Sequence, residues 1–421
     1  MQVCIHRGSQ QIGGSCVEVE HHGKRLLLDL GLPLDAKENS PEHLPAVSGL
    51  KEDDNSLLGI LISHPHLDHF GLLKHVRQDL PVGMGAAARR ILKAAAPFLP
   101  TELPIPSEGW CYENGKKIQI GPFSITPYLV DHSAYDAYAL LIEADDHRLL
   151  YTGDFRGHGR KSALFENLLK NPPSHVDALL MEGSSLGRLQ ADQHFPTESD
   201  IENQLKDVFL SCDGLAMVHT SMQNLDRIVS IFRASKQCGR KLVLDLYSAS
   251  VLAATENSNL PQSHWNDVVL YVPSQQRGQI FVNKWFDQLQ LHSKNRIYEE
   301  ELLKHADKYT LLFRPMHMKT LSGAKNLDTA AYIYSQWSGY WDAGSYDYIK
   351  DWLTNTRIKR VSIHTSGHAS PVDLKRFFEA INPTKLVPIH SFHPEQYSNL
   401  FLNVETQPDG QWWNVQNPKG E

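Results

Sequence analysis

The chain has no apolar run of the roughly 18 residues that a membrane-crossing helix needs, so no membrane partner is expected. Its five cysteines (Cys4, Cys16, Cys111, Cys212 and Cys238) are odd in number and form no C-x-x-C pair. That usage argues against a disulfide scaffold and reads as reduced cytosolic thiols without a metal or redox task. Basic excess is missing too: 41 Lys and Arg stand against 48 Asp and Glu, a formal charge of −7. A protein coated in basic surface is excluded, although a local basic groove is not. No internal repeat or low-complexity tract is present. The opening Met1-Gln2-Val3-Cys4-Ile5-His6 has no basic region followed by an apolar stretch, so no export signal is read and a cytoplasmic location is expected. A length of 421 residues allows one large domain or two.

What the chain does have is histidine, 22 in all. Several, such as His21, His22 and His43, sit in no pattern. Four potential ligands crowd into His64-Pro65-His66-Leu67-Asp68-His69, directly after the apolar run Leu57-Leu58-Gly59-Ile60-Leu61-Ile62. A buried strand therefore delivers imidazoles and a carboxylate at its carboxyl end. Alternate residues of a strand point to opposite sides, so convergence requires a loop there, and Pro65 cannot donate to a ladder. These donors suit zinc. Asp68 and His69 look superfluous to one ion, which suggests a second.

The first part of the chain reads as short strands and turns. Cys16 to Glu20 and Arg25 to Asp29 flank His22-Gly23 as a hairpin, and Lys117 to Ile120 and Phe123 to Tyr128 flank Gly121 as another. Helical patterns cover Phe70 to Gln78 and Ala86 to Ala95. Thr197-Glu198-Ser199-Asp200 resembles a capping box opening a helix to about Phe209. Leu215 to His219, a helix from Asn224 to Cys238, and Leu242 to Leu246 then form a strand-helix-strand unit, which points to a parallel sheet. The expected organisation is a first part over 1–194, a separate α/β domain over 195–345, and a returning part over 346–421. The return comprises a strand from Val361 to Thr365, a helix from Pro371 to Ile381 capped by Ser370, and a last strand from Lys385 to Ile389. Beyond Gln407 the end is polar and reads as loosely held.

Candidate ligands recur where apolar runs end. Val130 leads to Asp131-His132-Ser133, Thr152 to Gly153-Asp154, Met181 to Glu182-Gly183-Ser184, Ile363-His364 to Thr365-Ser366-Gly367-His368, and Ile389 to His390. Each alone has a bland use as a capping or solvated residue. Their conjunction points to strands gathering such ends along one rim, where sites on α/β scaffolds lie. Ser366, Gly367, His368 and Ser370, ahead of a helix N-terminus, could also hold a substrate phosphate.

With these residues in view, the chain resembles the metallo-β-lactamase-fold hydrolases through H-x-H-x-D-H, His132 and Gly153-Asp154. Through Glu182, His368 in Ser366-Gly367-His368-Ala369-Ser370, and His390 it resembles the β-CASP nucleases, closest to ribonuclease J and the mRNA 3′-end-processing endonucleases. The resemblance implies an αββα sandwich with an inserted α/β β-CASP domain. It implies two zinc ions, with Mn²⁺ the alternative metal: one on His64, His66 and His132, the other on Asp68, His69 and His390, and Asp154 bridging. It further implies hydrolysis of RNA, as an endonuclease or 5′-exonuclease, by a zinc-activated hydroxide. Asp68, Asp154, His368 and Glu182 would be catalytic, with Glu182 orienting His368, while Asp29 would be supporting or structural. In that family a histidine at the third extra motif accompanies RNA-processing members, so His390 leans toward single-stranded RNA. Single-stranded DNA, a small ester or thioester, and a silent binding subunit are the alternatives. Little chain follows His390, so a homo-oligomer is left open.

Arg227, Arg233, Lys236, Arg240 and Lys241, with Arg357, Lys359 and Arg360, either track a phosphate backbone or form solvated helix faces. Tyr334, Trp337, Tyr340 and Trp341 either stack bases or fill a core.

Overall fold

Valine, leucine and isoleucine at alternate positions make the strands of the first unit two-faced. Val3 and Ile5, Val17 and Val19, and Leu26 and Leu28 all turn inward. There they meet Phe123, Ile125, Leu140, Ile142, Leu149, Leu180 and Val387 of a second sheet. The computed structural model describes residues 1–99, 109–324 and 327–416. They form two compact units, one of Met1–Phe195 with the chain from Gly367 onward, the other of Pro196–Ser366.

One sheet of the first unit runs in the order Trp412–Asn414, Gln2–Arg7, Cys16–His21, Lys24–Leu28, Leu57–Leu61, Val82–Gly85 and Cys111–Tyr112. The other runs Lys385–Ile389, Ala178–Glu182, His147–Tyr151, Ala137–Ala144, Phe123–Val130 and Ile118–Ile120. The outer faces are apolar as well. Leu27, Ile60 and Ile62 pack with Leu72, Leu73 and Leu92, the last from the helix Ala86–Ala95. Leu150, Leu179 and Met181 pack with Phe165 of the helix Ser162–Lys170 and with Leu374 and Phe377 of the helix Pro371–Ile381. The layers are thus helix, sheet, sheet, helix: the αββα sandwich. In the first sheet Lys24–Leu28, Leu57–Leu61 and Val82–Gly85 are parallel. In the second, His147–Tyr151, Ala178–Glu182 and Lys385–Ile389 are parallel. Each group therefore opens its carboxyl ends on one side.

The second unit is a parallel sheet in the order Arg296–Ile297, Val268–Tyr271, Lys241–Leu244, Tyr309–Leu312, Ala216–His219, Ala331–Tyr334 and Lys359–Ser362. The expected capping box is present: Thr197 accepts from the Asp200 backbone while Asp200 reaches back, opening the helix Glu198–Leu210. The strands on either side of the helix Leu225–Gln237 are not neighbours, because Tyr309–Leu312 inserts between them. Thr365 donates its hydroxyl proton to the Pro196 carbonyl at 2.6 Å, so this unit begins and ends at one place.

Three expectations are corrected. The return to the first unit comes at 367 rather than 346, because Lys359–Ser362 pairs in parallel with Ala331–Tyr334 as the edge of the second unit's own sheet. The polar tail beyond Gln407 is anchored: Trp412–Asn414 pairs antiparallel with Gln2–Arg7 and buries Trp413. The helix after the histidine loop begins inside the motif, as Leu67–Phe70, and stops at Gly71. A β-carbon at Gly71 would lie 2.4 Å from the Leu67 carbonyl oxygen and 2.8 Å from Leu32.

Candidate metal centre

Asp29, Ser63-His64, Asp154, Glu182 and His390 all sit just past or at the ends of parallel strands. Asp154 follows Gly153, whose φ of +53° and approach to Ser63 leave no room for a side chain: a β-carbon there would be 2.7 Å from that of Ser63. The turn aims the Asp154 carboxylate at four rings. Its Oδ2 lies 3.2 Å from His69 Nε2, 3.6 Å from His390 Nε2, 3.6 Å from His368 Nδ1 and 3.7 Å from His64 Nε2. Asp68 Oδ2 lies 3.8 Å from His69 Nε2 and 4.0 Å from His390 Nε2. His132 Nε2 and His66 Nδ1 are 3.2 Å apart. Ligand atoms of His64, His66 and His132 fall within 4.8 Å of one another, as do those of His64, His69 and Asp154, of Asp68, His69 and His390, and of Asp154, His368 and His390.

Outer hydrogen bonds fix which nitrogen of His64, His69 and His132 faces inward. Asp29 accepts from the Ser63 backbone (2.7 Å), the Ser63 hydroxyl (2.7 Å), the Tyr151 hydroxyl (2.7 Å) and His69 Nδ1 (2.7 Å). With its proton spent on Asp29, Ser63 Oγ can only accept from His64 Nδ1, 3.0 Å away. His132 Nδ1 donates to the Gly367 carbonyl at 2.6 Å, whereas His390 Nδ1 lies 3.0 Å from Ser15 Oγ and accepts from the Gly13 backbone N–H at 3.4 Å. By donating at Nδ1, His64, His69 and His132 turn their Nε2 lone pairs inward, the tautomer that metal ligands adopt.

Burial, joined by neighbouring imidazoles, holds His64 and His132 well below the ordinary histidine range. Burial, with His69 and His368 adding, lowers His66 to about 4. For Asp154 burial opposes the charge, but His390, His69 and His368 hold its carboxyl well below the usual range. His69 is the exception: against burial, Asp154, Asp29 and Asp68 raise it well above its ordinary value. The cluster thus draws positive charge inward, and a bound cation would supply it in place of the proton. His64 Nε2, His69 Nε2, His390 Nε2 and Asp154 Oδ1 are buried with no hydrogen-bond partner among the described residues. Each would cost about 1–3 kcal/mol if left so. The donor set, the tautomers and these acceptors fit a metal.

Beside the cluster, His368 Nδ1 lies 3.3 Å from Glu182 Oε2. Glu182 is fully buried and accepts from the backbones of Phe155 (3.3 Å), Ala369 (3.3 Å) and Ser184 (3.2 Å). Burial opposes a charge on His368, but Glu182 and then Asp154 raise it to about 9. Four supports were not read as such from the sequence: Ser15, Ser63, Tyr151 and the Gly367 carbonyl. Of these Ser63 adjoins the motif and Gly367 was expected at a phosphate instead.

Other expectations fare differently. Ser370 is wholly buried and occupied as helix N-cap, accepting from the Asp373 backbone and donating to its carboxylate, so its hydroxyl is not offered to a phosphate. Ser366 is buried too. Asp131 is structural, with Oδ2 accepting from Gly159 N at 2.7 Å and Oδ1 3.3 Å from Arg156 Nε. In the second unit Arg227 is buried against Glu198 at 3.0 Å, Arg240 is buried on backbone carbonyls, and Lys236 pairs with Asp267 at 2.9 Å. Tyr334 and Trp341 belong to the core, whereas Trp337 and Tyr340 are exposed.

Residues 24–207 match the family model described as a β-lactamase superfamily domain. Ribonuclease J of Synechocystis is 24% identical over 412 residues, covering 92% of this chain and 60% of that protein. Ribonuclease J of Sinorhizobium meliloti is 25% identical over 234 residues, 53% of this chain and 40% of that protein. The chain thus spans about half the length of the curated relatives it matches. A solved structure of a protein of unknown function from Enterococcus faecalis superposes with a TM-score of 0.79 at 23% identity, covering 98% of this chain and 99% of that one. Layers, ligand-bearing strand ends and relatives agree that the chain has the metallo-β-lactamase fold and is similar to the β-CASP, ribonuclease J-like branch of that superfamily.

Proposed function

We propose that the chain is a metal-dependent phosphodiesterase that hydrolyses single-stranded RNA. The observation that carries this reading is the ring of inward Nε2 atoms around Asp154 Oδ2, beside a histidine held by a buried glutamate. Ribonuclease J among the relatives supports the choice of substrate. His64, His66 and His132 would hold one divalent cation, Asp68, His69 and His390 a second, and Asp154 would serve both. Zinc is the ion these nitrogen and carboxylate donors suit, with manganese the alternative. Such a pair, when bound, acidifies water and offsets charge on phosphoryl oxygens.

The protein's own groups would do the rest. Asp29, Ser63 and Tyr151 lock His64 and His69 in place, so little rearrangement accompanies reaction. Glu182, anchored by three backbone N–H groups, lies 3.3 Å from His368 Nδ1 and would orient the ring toward the substrate. From there His368 would bind the scissile phosphate or hand its proton to the leaving oxygen, a role worth about 10²–10⁴-fold for a general acid. The test is one RNA labelled separately at each end, carrying a 5′-phosphate or 5′-hydroxyl, incubated with zinc or manganese beside a matched DNA. Metal-dependent cleavage of RNA is expected, and the fragment pattern separates endonuclease from exonuclease. Cleavage of DNA alone would replace the substrate class, and binding without cleavage under either metal would remove the enzymatic reading.

A further inference from the structure

Two hairpin turns of the first unit, far from the centre just described, bring a second set of metal-type donors together. His21 closes the strand Cys16–His21, and His22 opens the turn into Lys24–Leu28. Asp145 opens the turn between Ala137–Ala144 and His147–Tyr151 of the opposite sheet. His21 Nε2 lies 2.8 Å and His22 Nε2 3.3 Å from the same oxygen, Asp145 Oδ2. The two rings have centroids 4.1 Å apart, and one donor atom from each of the three residues falls within 4.8 Å of the others. Ligands at about 2.1 Å in a tetrahedral shell stand roughly 3.4 Å from one another, close to the 3.3 Å between His22 and Asp145 and longer than the 2.8 Å between His21 and Asp145. His147 adds a third imidazole as a fourth donor. Its ring centroid is 6.1 Å from that of His21, and its Nδ1 is buried with no hydrogen-bond partner among the described residues.

We propose that His21, His22 and Asp145 form a separate site for one zinc-class divalent cation that clasps the two sheets at their hairpin tips. Imidazole nitrogens with one carboxylate oxygen select borderline metals such as zinc, and leave one position for His147 or water. The site is on the opposite rim from the catalytic cluster. Lys24–Leu28 starts at the His22 turn and ends before Asp29, while His147–Tyr151 starts at the Asp145 turn and ends before Asp154. Five strand residues, roughly 16 Å, separate the rims. Its task is therefore structural, a cross-link between sheets whose own interface is apolar.

His22 and Asp145 both have left-handed backbones, with φ of 51° and 50°, and both are exposed. Asparagine tolerates that conformation, so His22→Asn and Asp145→Asn remove a ligand while keeping the turn. Zinc equivalents bound by the full chain are counted by competition with a chromophoric chelator, and thermal midpoints are read with and without zinc. Each variant is expected to bind one equivalent fewer than the unmodified chain and to lose part of the zinc-induced rise in midpoint. Asp154→Ala should retain this equivalent, so failure of the catalytic reading and failure of this one are distinguishable. Unchanged stoichiometry in either asparagine variant would overturn the proposal and leave Asp145 as a plain hydrogen-bond acceptor for the two rings.

Discussion

Replacing Asp154 by Asn would keep its shape and remove a charge that lies 3.2–3.7 Å from four imidazole nitrogens. Replacing His368 by Ala would leave the Nε2 ring of His64, His69 and His390 intact. The two variants should therefore fail differently. Asp154→Asn loses metal and turnover together, whereas His368→Ala keeps its metal content and loses about 10²–10⁴-fold in turnover, as metal analysis beside an RNA cleavage assay would show. Asp29→Asn is the sharper probe of support. Asp29 adopts φ +60°, which asparagine also tolerates, so the backbone is spared while His69, Ser63 and Tyr151 face an amide. Metal affinity should drop about 10–100-fold, measured by competition with a chelator. Residue identity made the clustered side chains legible, because H-x-H-x-D-H is dense. Their tautomers were not, since those depend on Asp29, Ser63 and the Gly367 carbonyl, which lie at three separate points of the chain.

Strands and capped helices were read well wherever local chemistry decides them. Pro371–Ile381 has Ser370 as N-cap, proline at its first turn and apolar residues at helical spacing, so pattern and structure coincide. Lys359–Ser362 was misassigned because a short strand looks the same in either sheet, and only the distant partner Ala331–Tyr334 settles it. Trp412–Asn414 was missed for a similar reason: its polar surroundings hid Trp413 and the adjoining Val415, both of which enter the core. Trp413→Ala should destabilise the first unit by about 3–5 kcal/mol, seen as a lower urea midpoint for that unit's transition. Acid lability belongs to the other sheet. His219, at the end of Ala216–His219, accepts from the Tyr332 hydroxyl at 2.5 Å, and burial followed by Arg314 pulls it to about 3. Burial also leads in lowering His317 to about 4. Both stay neutral in the folded unit while the unfolded chain protonates near 6.5. Their contribution is complete above pH 6.5 and is lost as the pH falls from there toward 3. His219→Asn, which accepts the same hydrogen bond without titrating, should flatten that acid limb in a pH series of unfolding curves.

At the scale of the molecule, the change of rhythm after Met181 announced a second unit, because alternating strand and helix patterns replace hairpins there. Its extent was misjudged only at the far end. The unit has its own apolar core around Met217, Val243, Leu311 and Tyr332, and its first and last residues meet through Thr365 and Pro196. Residues 196–366 expressed alone should therefore fold, with one cooperative urea transition by circular dichroism; a broad, non-cooperative profile would show that the unit depends on the rest of the chain. Among the described residues no helix is long and apolar enough to cross a membrane.

The strand Lys385–Ile389 lies beside Ala178–Glu182 and delivers His390, and the first strand, Gln2–Arg7, waits for Trp412–Asn414. During synthesis the amino-terminal half can collapse early, yet its rim stays short of one imidazole until the chain has been made past His390. A product ending before His390 would carry the signature hexapeptide and still lack one of the rings that surround Asp154.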